Sequence, residues 1–308
     1  MTSEARAGVA YALAAYASWG VCPIYFKAVK AAPALEVLGH RVVFGALLLA
    51  GLLWRRGQWG EVRAALGRRA AMGRLGLTTC LIAFNWYLFI WAVANGHIVE
   101  ASMGYFINPL MSVAMGVLLL GERVTRAQVV AIALAAAGVL VLTLSAGKPP
   151  WVSLALAGSF GLYGLLRKGS SVGALPGLAI ETGMMLLPAI GLLGWMMRGE
   201  RAVFLTGSAA MDVLLPLAAV VTVMPLLWFT EGARRVRLST LGLLQYTSPS
   251  MQMMLGVFVY GEHFSGAHGV ALALIWAGLG VFTYEALSRV RRDQRERRAE
   301  TARVREAA

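Results

Sequence analysis

The sequence predicts an all-α polytopic membrane protein with ten transmembrane helices arranged as two inverted five-helix repeats. Three observations predict it. Of 308 residues, 58% are hydrophobic and only 14% are charged, whereas a soluble domain carries about a quarter charged residues. The apolar residues fall in blocks of about 20, the length a helix needs to cross roughly 30 Å of hydrocarbon. The two halves of the chain also match each other at a nearly fixed offset.

Apolar blocks between charged or turn-forming punctuation place helices near 8–27, 35–54, 74–94, 101–120, 127–145, 151–167, 174–197, 211–230, 238–259 and 267–287. The first block has no cleavage signature and reads as an uncleaved insertion signal. The longest connection, 55–74, is basic and reads as an amphipathic helix on the membrane surface. With the N-terminus inside, the cytoplasmic segments hold 22 of the 28 basic residues. The excess persists without the eight arginines after Ser288, so both termini are expected in the cytoplasm. This bias accounts for the net charge of +13, and with no reading motif beside it, nucleic-acid binding is not expected. Cys22 and Cys80 lie within apolar spans and read as buried free thiols.

At an offset of 140, Pro109 meets Pro249, Gly116 meets Gly256, Gly121–Glu122 meet Gly261–Glu262 and Gly138 meets Gly278. Seven further positions of the Ala-rich stretch 127–141 find the same residue in 267–281. At 141, Ser18-Trp19-Gly20 meet Ser159-Phe160-Gly161, and Lys27 meets Lys168. Residues 1–146 and 147–288 thus read as two copies of one unit, with 289–308 a basic tail. Five spans per copy put the second copy into the bilayer from the opposite side. Inverted repeats let a central site open alternately to either face, which points to a transporter.

Helical spacing gathers Ser102, Tyr105, Pro109, Ser112 and Gly116 on one face of the fourth span. Gly242, Gln245, Pro249, Gln252 and Gly256 share the corresponding face of the ninth. The first span adds Tyr16, Trp19, Gly20, Pro23 and Lys27, and the third adds Asn85, Leu88, Ala92 and Asn95. A proline frees a carbonyl, which in lipid must face protein or a water-filled cavity. Any one stripe is explained by tight packing alone. Matching stripes in two copies point to a shared pathway. The Ala-rich fifth and tenth spans read as packing.

Charges inside spans are functional candidates. Glu181 lies within the seventh span with no basic neighbour on its own helix; it reads equally as a proton-coupling carboxylate or as a lock paired with an arginine elsewhere. Arg41 either holds a substrate carboxylate or snorkels to the headgroups, and with Glu36 and His40 it forms a polar cluster. The His40 imidazole makes a proton role available. Glu122 reads as a helix-terminal residue with a local arginine partner. No phosphate-binding loop, dinucleotide fingerprint, zinc motif or nucleophile elbow is present. Neither a cofactor nor catalysis is expected.

His40–Arg41, Asn85–Trp86, the run 100–110 (EASMGYFINPL, with Tyr105, Asn108 and Pro109), Gly121–Glu122, Glu181–Thr182 and 238–246 (LSTLGLLQY, ending in Gln245 and Tyr246) resemble the RarD group of bacterial permeases. That group falls within the drug/metabolite transporter superfamily, with EamA-type repeats. The resemblance covers about residues 8–287. It implies an inner-membrane permease with a central cavity, exporting metabolites or drugs; the RarD name is attached to chloramphenicol. It also implies a site bounded by the first, third, fourth, sixth, eighth and ninth helices. Superfamily relatives handle amino acids, nucleotide sugars, small amines and hydrophobic drugs. Ser248 and Ser250 beside Pro249 depart from the less polar or larger neighbours expected there. The partners expected are a small organic solute, the lipid bilayer and protons. A non-transporting receptor or scaffold is the alternative.

Overall fold

The computed structural model describes residues 3–94, 98–147, 151–199, 201–260 and 265–306. Helix occupies each of the ten apolar blocks. The helices are α1 (Ser3–Ala28), α2 (Ala34–Arg56), α3 (Trp59–Leu66), α4 (Arg69–Ala94), α5 (Ile98–Leu120), α6 (Arg126–Ala146), α7 (Trp151–Lys168) and α8 (Ala174–Arg198). They continue with α9 (Ala209–Arg235), α10 (Leu238–Gln245), α11 (Thr247–Met254), a π turn (Leu255–Val259) and α12 (Gly266–Glu306). Among the described residues six helices are long and apolar enough to cross a bilayer: α1, α2, α6, α8, α9 and the first part of α12; Gly104–Leu120 is a shorter apolar stretch. Leu118, Leu187 and Phe258 stand about four-fifths exposed on the outside. An outer surface of this kind needs lipid rather than water against it. The chain is a polytopic membrane protein.

Local chemistry sets the helix ends. Arg55 and Arg56 complement the C-terminal dipole of α2, and Gly57 closes it in the left-handed conformation, φ 64°. Thr125 and Gln128 form a capping box at the start of α6. Between α2 and α4, the short α3 turns Val62 and Ala65 inward and leaves Glu61 and Arg63 exposed. One expected helix is divided. The block 238–259 breaks at Tyr246 and ends in a π turn, because Pro249 has no N–H for the Gln245 carbonyl.

Small residues decide how closely the helices approach. Gly138 of α6 meets the Ala271 carbonyl of α12, where an added Cβ would sit 2.8 Å away. Gly278 of α12 meets the Ala131 carbonyl of α6 in the same way, at 2.7 Å. Positions advance along one helix as they retreat along the other, so α6 and α12 cross antiparallel. The other extensive contacts include α1 with α9 and α11, α5 with α7 and α10, α4 with α7 and α8, and α2 with α8 and α9. The largest apolar cluster joins α1, α2, α4, α8, α9 and α10, and a second joins α5, α6 and α12. Cys22 is buried as expected, but Cys80 is exposed on α4; an apolar span has a lipid side as well as a core side, and the sequence assigned Cys80 to the wrong one.

Replacing Gly138 or Gly278 with leucine should each cost about 1–3 kcal/mol, with similar losses because the two contacts are reciprocal. Reversible unfolding in mild detergent or bilayers checks this. A variant as stable as the parent would show that the α6–α12 seam carries no close contact.

Candidate functional site

The proline stripes face one another across a buried seam. Pro23 leaves the Trp19 carbonyl of α1 without its helical donor, and the Gln252 side chain of α11 supplies one, Nε2 to O at 2.9 Å. The same amide lies 3.4 Å from the Ser248 hydroxyl. Gly20 lets Met251 approach; a Cβ there would fall 2.8 Å from the Met251 Cβ. On α5, the Pro109 carbonyl rests against Gly242 of α10, with 2.6 Å left for a Cβ. The Ser112 hydroxyl donates to Gln245 Oε1 at 3.5 Å. Pro249 is buried just past the break. Tyr246 faces away from this seam, into the α5–α6–α12 core. Asn108 is buried, and its Oδ1 lacks a hydrogen-bond partner, as do the Tyr16 and Tyr246 hydroxyls.

Beside the seam lies an aromatic cluster. Tyr16 and Trp19 of α1 pack with Phe160 and Tyr163 of α7 and Phe229 of α9, ring centroids 5.1–6.3 Å apart. Tyr105 is partly exposed and meets Phe89 edge-on at 6.2 Å. Asn85 is occupied, its amide donating to the Leu156 carbonyl and the Ser159 hydroxyl at 2.8 Å each. Lys27 is exposed and sits 3.3 Å above the Tyr260 ring. Asn95, His97, Glu262 and His263, and the surroundings of Ser102, Glu100 and Gly256, lie outside the described residues.

The charges divide into separate clusters. Fully buried Glu181 accepts from Thr78 at 2.5 Å and from Tyr163 at 3.3 Å, and stands 3.6 Å from Arg167. Arg167 reaches this position over Gly177, which has no Cβ to obstruct the guanidinium, and also donates to the Gly173 and Ala174 carbonyls. Glu36 turns both oxygens to backbone N–H groups of Val203 and Phe204, and lies 3.7 Å from His40. The His40 ring packs on Phe204 at 4.4 Å. Arg41 instead lies over Trp86, 3.6 Å from the ring centre, beside a small cavity between α2, α4, α8 and α9.

Glu122 is where sequence reasoning fell short. It reaches across the bundle to the start of α10, accepting from the Leu238 N–H at 2.7 Å, the Ser239 N–H at 2.9 Å and the Ser239 hydroxyl at 2.7 Å. A carboxylate at a helix N-terminus meets unpaired donors and a favourable dipole. Lys168 lies 4.0 Å away and also donates to the Ala233 and Val236 carbonyls; Arg237 donates to the Arg123 carbonyl. Residues from both halves of the chain therefore close one end of the seam. The sequence held one hint, the Gly121–Glu122 pair repeated as Gly261–Glu262.

An apolar exterior around a buried polar seam defines an integral membrane protein built around its interior, and comparison with known proteins narrows this class. The model of the EamA-like transporter family matches residues 6–144. Protein RarD of Streptomyces exfoliatus is 42% identical over 95% of this chain and 93% of its own length. An uncharacterized transporter of Vibrio cholerae is 43% identical over 92% and 94%. A solved crystal structure with 19% identity overlays with a TM-score of 0.69, covering 91% of this chain and 98% of its own, a likeness of fold. The chain belongs to the EamA-like transporter family, as a RarD-type permease of the drug/metabolite superfamily. It is a multi-pass bacterial membrane protein.

Breaking a buried ion pair strands its partner and costs about 3–5 kcal/mol, while removing both charges costs far less. If Glu181 and Arg167 form a lock, Glu181→Gln and Arg167→Gln should each lower stability by that order, and the double variant should recover much of the loss. Unfolding of the three variants in detergent checks this. A fully stable Glu181→Gln would remove the lock.

Proposed function

We propose that this permease is a secondary transporter that carries small organic metabolites or drugs outward across the bacterial inner membrane. It acts by alternating access between two inverted five-helix halves, residues 1–146 and 147–288, with ten spans in all. The observation that carries this reading is the reciprocal packing of α6 and α12. Gly138 on Ala271 and Ala131 on Gly278 are the same contact read in both directions at the offset of 140. A two-fold axis perpendicular to both helices produces such a pair, and that axis lies in the membrane plane when halves are inverted.

Other neighbours obey the same exchange. α5 packs on α7 as α10–α11 pack on α1, and α1 packs on α9 as α7 packs on α4. The excess of basic residues supports a cytoplasmic location for the Glu122 end and for both termini. In this reading the Glu122 cap holds the cytoplasmic end of the seam closed. In this reading Glu181, held by Arg167, Thr78 and Tyr163, is a lock rather than the proton carrier, and proton coupling has to come from elsewhere in the chain.

The test uses proteoliposomes and a parent lacking Cys22 and Cys80. Cysteines placed at 105 and 245 should react with impermeant reagents from one side or the other as transported solute is added. Protection from both sides throughout would favour a scaffold. Loss of a helix cap costs about 0.5–2 kcal/mol, so Glu122→Gln should raise labelling at 245 from the cytoplasmic side several-fold. Unchanged labelling would show that Glu122 does not hold that end shut. Vesicles loaded with a metabolite mixture should lose particular members only when the protein is present.

A further inference from the structure

Buried charges in this bundle have partners of opposite sign or backbone donors: Glu181 has Arg167, and Glu36 has His40 and two N–H groups. Arg41 does not. Among the described residues no carboxylate lies within ion-pair distance of it. Its Nε and Nη2 are sealed from solvent and make no hydrogen bond. The Trp86 ring attracts the face of the guanidinium, but the N–H groups lie in the guanidinium plane and need acceptors there. Membrane proteins keep such a costly group where a substrate or ion path requires it.

We infer that Arg41 anchors a single carboxylate on the transported solute, with Trp86 stacked beside it. The planar fork of an arginine matches a carboxylate through two parallel hydrogen bonds. Among the described residues, the groups beside the Arg41 guanidinium are the Trp86 ring and the lining of the adjoining cavity. None is a second cation, as a phosphate with nearly two charges would require. Thr182 and Thr222 add hydroxyls to the adjoining cavity, and Leu178, Met185 and Leu226 give it an apolar side suited to an organic body.

The cavity measures about 10 Å³, less than any organic solute. Its walls come from α2 and α4 on one side and α8 and α9 on the other, that is, from the two halves. Binding an anion at Arg41 therefore requires the halves to part, which ties occupancy to the conformational exchange. This inference rests on the transport reading above and narrows it to carboxylate-bearing solutes.

The test uses the full chain in phosphatidylcholine nanodiscs and compares thermal unfolding with acetate, phenylacetate and L-leucine against acetamide, phenylacetamide and L-leucinamide. At least one carboxylate should raise the midpoint while its amide does not. Arg41→Gln should abolish that rise, and Arg41→Lys should weaken binding about tenfold or more for want of the fork. Without solute, Arg41→Gln should unfold at a higher temperature than the parent, since it removes two buried N–H-bearing nitrogens that lack acceptors. A lower midpoint or failure to fold would make Arg41 structural and overturn the inference. So would carboxylates that act no differently from amides, or a rise that survives Arg41→Gln. Stabilisation through Arg41 by phosphatidylglycerol alone would make the ligand a lipid phosphate, and would equally overturn it. Carboxylates that bind at Arg41 but never cross liposomes would defeat transport and leave the anion site standing. Flux restricted to neutral or cationic solutes would do the reverse.

Discussion

Inside hydrocarbon no water takes up a backbone group that has lost its partner, and this constraint organises the bundle. Each proline within a span leaves a carbonyl that must be met by another helix or set against a polar interior. The Trp19 carbonyl, freed by Pro23, is met by Gln252 from the other half of the chain. The Gln245 carbonyl, freed by Pro249, sits where the ninth block breaks into α10 and α11. Pro23, Pro109 and Pro249 thus mark the seam, and the amides and hydroxyls around them hold its walls together.

The ties across the seam are few and individually weak. Hydrogen bonds between membrane helices average about 0.6 kcal/mol, with values near 1–2 kcal/mol at the strong end. Ser112 to Gln245 is long, and Gln252 to Trp19 is a single contact. The Glu122 cap is stronger because it is charged and satisfies three donors, yet it lies at the end of the bundle, within reach of water. Glycine contacts such as Gly242 on Pro109 supply close packing with no side chain to interlock. An interface held in this way separates at modest cost. The pair of Glu181 and Arg167 is of another kind: it is fully buried and charged, and with Thr78 and Tyr163 it joins α4, α7 and α8.

Much of this was legible in the sequence, for physical reasons. Hydrocarbon thickness fixes span length, so the apolar blocks located the helices. Close antiparallel packing demands glycine, so Gly138 and Gly278 stood out as a matched pair. Side chains one turn apart share a face, so Glu36 and His40 were read together. What escaped depended on contacts distant in sequence. Pro109 and Pro249 look equivalent, yet α5 runs on through Pro109 while α10 stops short of Pro249. The reach of Glu122 across the bundle needs the tertiary fold, and so does the rotation that turns Tyr246 into the second core. The partner of Glu181 was nearer than expected: a short turn lays Arg167 of α7 directly beside α8.

The most direct measurement is the distance between spin labels at positions 126 and 237, flanking the Glu122 closure, in bilayers with the native cysteines replaced. Two separations are predicted, a short one matching the capped end and a longer one. Glu122→Gln should shift the balance toward the longer, and so should a transported solute. A single short separation, unmoved by either change, would contradict the account.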